Sequence, residues 1–168
     1  MPEPAWVEHA IWWHVYPLGF LGADTTGADR TPRRTLRDLV PWLDHAISLG
    51  CNGILLGPVF ASSTHGYDTT DHLRIDERLG DEADFDALVA GCRERGLRLM
   101  LDGVFNHVGR DHRAFQQALR DGPDGATAGW FDLDWSSRSD DGEPGYRDFE
   151  GHHALVALRH GDPGVRRW

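Results

Sequence analysis

Residues 97–109 read LRLMLDGVFNHVG, and this stretch decides the fold. Leu97, Leu99, Met100 and Leu101 make a short apolar run, opened by Gly96 and closed by Gly103, which is the pattern of a buried parallel strand. Asp102, Asn106 and His107 follow at once. Polar groups just past the C-terminal end of such a strand sit at the mouth of an α/β sheet or barrel, where catalytic residues collect. An active-site rim is therefore expected here, and it falls so late in the chain that much of the expected site is missing.

Outward from that stretch the chain alternates. Ile11–Tyr16 is aromatic and β-branched and reads as a first strand, ended by Pro17. After a Gly, Asp, Thr and Arg loop over 22–34, Leu36, Leu39, Val40, Leu43 and Ile47 follow helical spacing. Thr35 is the expected N-cap, Gly50 the stop, and Pro41 should kink the helix or mark a second start. Ile54–Leu56 is a second buried strand. Asp84 is then expected to cap a helix with Phe85, Leu88 and Val89 on one face, and a third helix is expected over 111–120 with Phe115, Ala118 and Leu119 inward. Strands alternating with helices predict parallel βα units. Residues 121–151 turn to Gly, Asp, Ser and Pro, with Trp130, Phe131, Trp135, Tyr146 and Phe149 among them, and read as an irregular excursion that packs on something.

The composition narrows the class. With 168 residues, 40% hydrophobic and 26% charged, the chain can bury a real core as one domain. A formal charge of −10 argues against nucleic acid and anionic lipid as partners, since both are polyanions. The N-terminus has no basic leader, its apolar run is broken by His14, and no window nears the roughly 18 apolar residues of a spanning helix. Cys51 and Cys92 read as isolated thiols, not a disulfide framework. A cytoplasmic setting is the expectation.

The connection Gly57–Gly80, GPVFASSTHGYDTTDHLRIDERLG, is long for a βα loop. Tyr67 offers a flat apolar face that suits a sugar ring, and His65, Asp68, Asp71 and His72 offer hydrogen bonds to hydroxyls. Taken alone, the same residues also suit a surface loop whose Asp and Thr side chains bond their own backbone.

Together, that loop and LDGVFNHVG, joined by a helix beginning DFDALV and ending ERG, resemble glycoside hydrolase family 13, the α-amylase family. The resemblance runs in order from about residue 10 to 120 and more loosely to 168, with DGVFNH its most specific part. It implies an α/β fold: a partial (β/α)8 TIM barrel supplying roughly the first three βα units, with a short irregular insertion after strand 3. Residues 1–109 would be the barrel units, 110–160 the insertion (taking in the helix at 111–120) and 161–168 the start of the return to the barrel. By the same resemblance Tyr67 matches the aromatic that stacks on the sugar at the cleavage subsite, and His107 the histidine that hydrogen-bonds that sugar. Asp68 joins them as substrate-binding. Asp102 resembles an aspartate that orients an arginine near the nucleophile, and Asn106 an asparagine that ligates calcium in many members. Singly, Asp102 and Asn106 could cap a turn and His107 could be a satisfied core histidine; those readings do not explain the set.

The departures matter as much. The Gly19–Arg34 loop lacks the dense Asp/Asn alternation of a calcium loop, so no cofactor is required and calcium is not expected. The short 110–160 stretch is more like cyclomaltodextrinases, neopullulanases and oligo-glucosidases than large-substrate amylases. LVALRHGDPGV, residues 155–165, resembles the motif that closes the insertion, with Arg159 where an Asn is usual. A retaining glycosidase needs two carboxyl groups roughly 5–5.5 Å apart. In the family these are an Asp ending the fourth strand and a Glu ending the fifth, helped by an Asp after the seventh. All three would lie beyond Trp168, so no catalytic residue is assigned in this chain.

The expectation is an N-terminal fragment of a retaining α-glucoside hydrolase. It should be inactive alone and poorly folded, because open sheet edges stay unpaired. Its partner would be an α-linked gluco-oligosaccharide. The alternatives are a transglycosylase of the same family, a non-catalytic carbohydrate-binding protein, and a metal-dependent hydrolase using His65, Asp68, Asp102 and His107. Oligomeric state is not legible.

Overall fold

The computed structural model describes residues 3–139 and 142–168. The chain forms two compact units, Met1–Ala61 with Leu73–Gly103, and Ser62–His72 with Val104–Trp168.

The first unit holds β1 (Trp12–Val15), α1 (Pro17–Phe20), α2 (Leu43–Ser48) and β2 (Gly53–Leu56). A ribbon of β3 (Phe60–Ser62) and β4 (Thr69–Ile75) follows, then α3 (Glu82–Glu94) and β5 (Arg98–Leu101). The sheet runs β1-β2-β5, all parallel, with Ile54 opposite both Trp13 and Leu99. Gly53 opens β2 for a steric reason: a Cβ there would lie 2.4 Å from the Trp12 indole. Leu18, Leu36, Leu39, Leu43, Ile54, Leu56, Leu79 and Leu88 fill the core.

Several expectations change in detail. The helix expected from Thr35 to Gly50 is split into a 3-10 helix, Leu36–Trp42, running into α2. Pro41 lies inside the first piece and, having no N–H, cannot donate to its hydrogen-bond ladder. Thr35 does cap, in a reciprocal box with Asp38. Helix α3 begins a turn earlier than expected, because Asp81 caps it and Asp84 reaches back to the Asp81 N–H. Strand β5 is parallel as expected but not buried on both faces. Pairing with β2 alone among the described residues, it leaves Met100 40% exposed and Leu99 and Leu101 half-buried. The long loop 57–80 contains β3, β4 and a 3-10 turn, Glu77–Leu79. That turn is pinned by the buried Arg78, whose guanidinium meets both Asp76 oxygens, at 2.8 and 2.7 Å, and the Asp24 carbonyl at 2.8 Å.

The second unit takes in Ser62–His72, including the first half of β4, and later holds β6 (His107–Gly109), α4 (Arg113–Asp121), β7 (Leu133–Arg138), β8 (Pro144–Tyr146), β9 (Asp148–Phe149), β10 (His152–Ala157) and α5 (Pro163–Arg167). Strands β6, β10 and β9 form one antiparallel sheet and β7 with β8 a second ribbon. Residues 121–151 are thus more regular than expected, and their Phe131 joins Val108, Phe115, Val156 and Leu158 in a second core. The expected third helix is α4, capped by His112. Cys51 and Cys92 are free thiols, and burial pushes the pKa of Cys92 up to about 11. No helix among the described residues is long and apolar enough to cross a membrane.

Candidate functional site

The Tyr67–Asp68 turn and the start of β6 meet inside the second unit. Gly109 makes this possible: a Cβ at that position would stand 2.4 Å from the Asp68 carbonyl oxygen, so β6 passes the turn at backbone contact. His107 is buried just before it. Its Nε2 donates to the Tyr67 carbonyl at 3.0 Å, and Nδ1 accepts from the Asn106 side-chain amide at 3.3 Å. The ring stacks on Phe149, centroids 4.8 Å apart. Burial lowers the His107 pKa, so the imidazole is held neutral with its proton on Nε2.

Tyr67 presents its ring to solvent at 39% exposure, tilted against His65 at 6.1 Å. Asp68 beside it is 3% exposed. One oxygen, Oδ2, accepts from the Thr64 hydroxyl at 2.6 Å. The other, Oδ1, has no hydrogen-bond partner among the described residues and lies 3.9 Å from His65 Nδ1, itself an acceptor from the Tyr67 N–H. A buried carboxylate oxygen left unpartnered is costly.

Asp102 belongs to the first unit, at the end of β5. Its N–H donates to the Leu56 carbonyl at 2.8 Å, and its half-buried carboxylate makes no hydrogen bond or ion pair among the described residues. Asn106 is exposed and its amide is committed to His107. His72, offered by the sequence as a hydroxyl partner, is buried instead against Phe105 and bonds the Val104 carbonyl at 2.9 Å. Among the described residues no three His, Cys, Asp or Glu side chains form a group that could hold a metal ion.

Tyr67, Asp68, Asn106 and His107 are thus brought together by the second unit. Sequence reasoning missed Phe149 behind His107 and Thr64 on Asp68; nothing in their spacing signals either contact. An exposed aromatic face beside a buried carboxylate and a neutral imidazole suits a neutral, hydroxyl-rich ligand.

The family model described as alpha amylase, catalytic domain, matches residues 14–153. A cyclomaltodextrinase from Geobacillus thermopakistaniensis is 33% identical over 98% of this chain and 31% of that protein. An intracellular maltogenic amylase from Bacillus subtilis is 31% identical over 98% of this chain and 30% of that protein. The cyclic alpha-maltosyl-(1→6)-maltose hydrolase from Arthrobacter globiformis superposes with a TM-score of 0.82 at 32% identity, covering 99% of this chain and 41% of that one. The chain spans about a third of the length of the curated relatives it matches.

Proposed function

The chain belongs to the alpha-amylase family of glycoside hydrolases, as part of its TIM-barrel catalytic domain, and from that premise we propose that it supplies the sugar-holding side of a retaining α-glucoside hydrolase acting on α-linked gluco-oligosaccharides inside the cell. Tyr67 is the platform for the ring. Asp68 Oδ1 accepts from a sugar hydroxyl, and the single observation that carries the reading is this buried, unpartnered oxygen beside an exposed aromatic face. His107 holds the Tyr67 turn through Nε2 and offers that same proton to the sugar when the turn yields. Asp102 orients a cation not among its neighbours here. In this reading the nucleophile and the acid/base come from outside these 168 residues, since the chemistry needs two carboxyl groups roughly 5–5.5 Å apart across the bond. Residues 110–160 act as the insertion that walls the site, and no metal enters the binding step.

Calorimetric titration of the chain with maltotriose, paired with an assay for released reducing sugar, tests this. Saturable binding that weakens about tenfold or more in Tyr67→Ala, with no sugar released, is the expected result. Absence of binding, or binding indifferent to Tyr67→Ala, refutes the sugar-holding role; release of reducing sugar refutes the assignment of the catalytic pair.

A further inference from the structure

A second cleft opens in the second unit, and none of Tyr67, Asp68 or His107 lines it. Its walls are the turn at Ala128 and Gly129, the segment from Phe131 into the start of β7 at Trp135, and Arg159 just past the end of β10, with a volume of about 440 Å³. That lies in the ordinary range for small-molecule sites. Main-chain bonds fix the walls: the Arg159 N–H donates to the Trp130 carbonyl at 2.7 Å, the Arg147 N–H to the Asp132 carbonyl at 3.1 Å, and Phe131 bridges to Leu158.

The charged groups are only partly spent on one another. Asp132 Oδ2 takes Arg147 Nε at 3.1 Å, while Oδ1 faces Arg159 Nε at 3.8 Å, too long for a hydrogen bond. The Arg159 guanidinium, more than half exposed, makes no side-chain hydrogen bond among the described residues. One Asp134 oxygen is taken by Ser136, through its N–H at 3.0 Å and its hydroxyl at 2.6 Å. Trp135 adds a half-buried indole.

This lining selects by elimination. An anion meets Asp132 and Asp134, and a cation meets Arg159 with Arg147 behind it. An apolar ligand strands all of these charges dry. A neutral polyol fits, because it offers donors to the carboxylates, acceptors to the guanidinium and a C–H face to the indole. We propose that this cleft is a second, non-catalytic binding site for an α-linked gluco-oligosaccharide; the choice of sugar rests on the function proposed above. Arg159, the residue at which the chain departs from the motif it resembles, thereby has a use.

The test is a titration of the 15N-labelled chain with maltotriose, following the tryptophan indole N–H signals by NMR. Trp135→Phe assigns the Trp135 signal. The expected result is a saturating Trp135 shift that persists in Tyr67→Ala and weakens about five- to tenfold in the exposed-site variants Arg159→Ala and Asp132→Asn, the loss of one hydrogen-bonding group. A Trp135 signal that stays still while residues 64–68 shift overturns the second site and leaves the first intact. A Trp135 shift abolished by Tyr67→Ala overturns it too, since there is then one site. No shift anywhere overturns both.

Discussion

A methyl group added at position 109 meets the main chain of Asp68 and Thr69, and main chain gives little. Gly109→Ala is expected to cost about 1–3 kcal/mol, as overpacking of a tight site does, and to weaken maltotriose binding with it. Gly161→Ala, where a Cβ meets nothing within 4 Å, should do neither. Thermal melts of the two variants, followed by calorimetry with the sugar, check the contrast. His112 sets a pH limit. It is 1% exposed, its Nδ1 accepts the Ala114 N–H at 3.2 Å, and its Nε2 has no hydrogen-bond partner among the described residues. Burial first, then the charges of His72 and Arg113, push its pKa down to about 4 from an ordinary 6.5. The unfolded chain therefore binds the proton more readily than the fold does. The stability due to the neutral ring is complete above pH 6.5 and drains away as the pH falls towards 4, by on the order of 3 kcal/mol. His72 and His107 shift the same way. Urea unfolding at pH 7.5, 5.5 and 4.5 should show the decline, and His112→Asn, which can still cap α4, should flatten it.

Among the elements, α3 is the one whose start depends on two acids acting together. Asp81→Ala removes the acceptor for the Asp84 N–H and should cost about 1 kcal/mol in urea unfolding, within the usual range for a lost N-cap. The sequence places Asp84 as the cap because it directly precedes Phe85; Asp81 and Asp84 form one box, and composition does not say which comes first. The parallel strands and the helices between them are legible because each carries an apolar run or a helical period long enough to read. Strands β3, β4 and β7 are not. Phe60–Ser62 is too short to show a period, and Thr69–Ile75 opens on four polar residues. In Leu133–Arg138 the apolar–polar alternation stops after Trp135, and the rest of the strand is exposed and polar. At the site, Tyr67, Asp68 and His107 are legible through the motif they share with the resembled family. Phe149 is not, since its contact with His107 exists only once β9 and β6 both pair with β10. The exposure of Met100 is invisible for a similar reason, being set by which strand lies beyond β5 and not by the strand itself.

For the molecule entire, the three-stranded parallel sheet has β1 and β5 each paired on one side among the described residues. Unpaired edges recruit other chains. Sedimentation velocity is expected to show self-association rising through the micromolar range, and Met100→Lys, a charge on the exposed face of the β5 edge, is expected to reduce it. The second unit is also assembled from two separate stretches, 62–72 and 104–168, with residues 73–103 belonging to the first. On the ribosome this imposes a delay. At about 5–20 residues per second, residues 73–103 occupy the peptidyl-transferase centre for about 2–6 s after Tyr67 and Asp68 have been made. Throughout that interval the turn has no Gly109 strand to rest on and no His107 to hold its carbonyl. The corner formed by Tyr67, Asp68 and His107 is thus translated early and completed late, and its two halves cannot be excised together as one gene segment without residues 73–103.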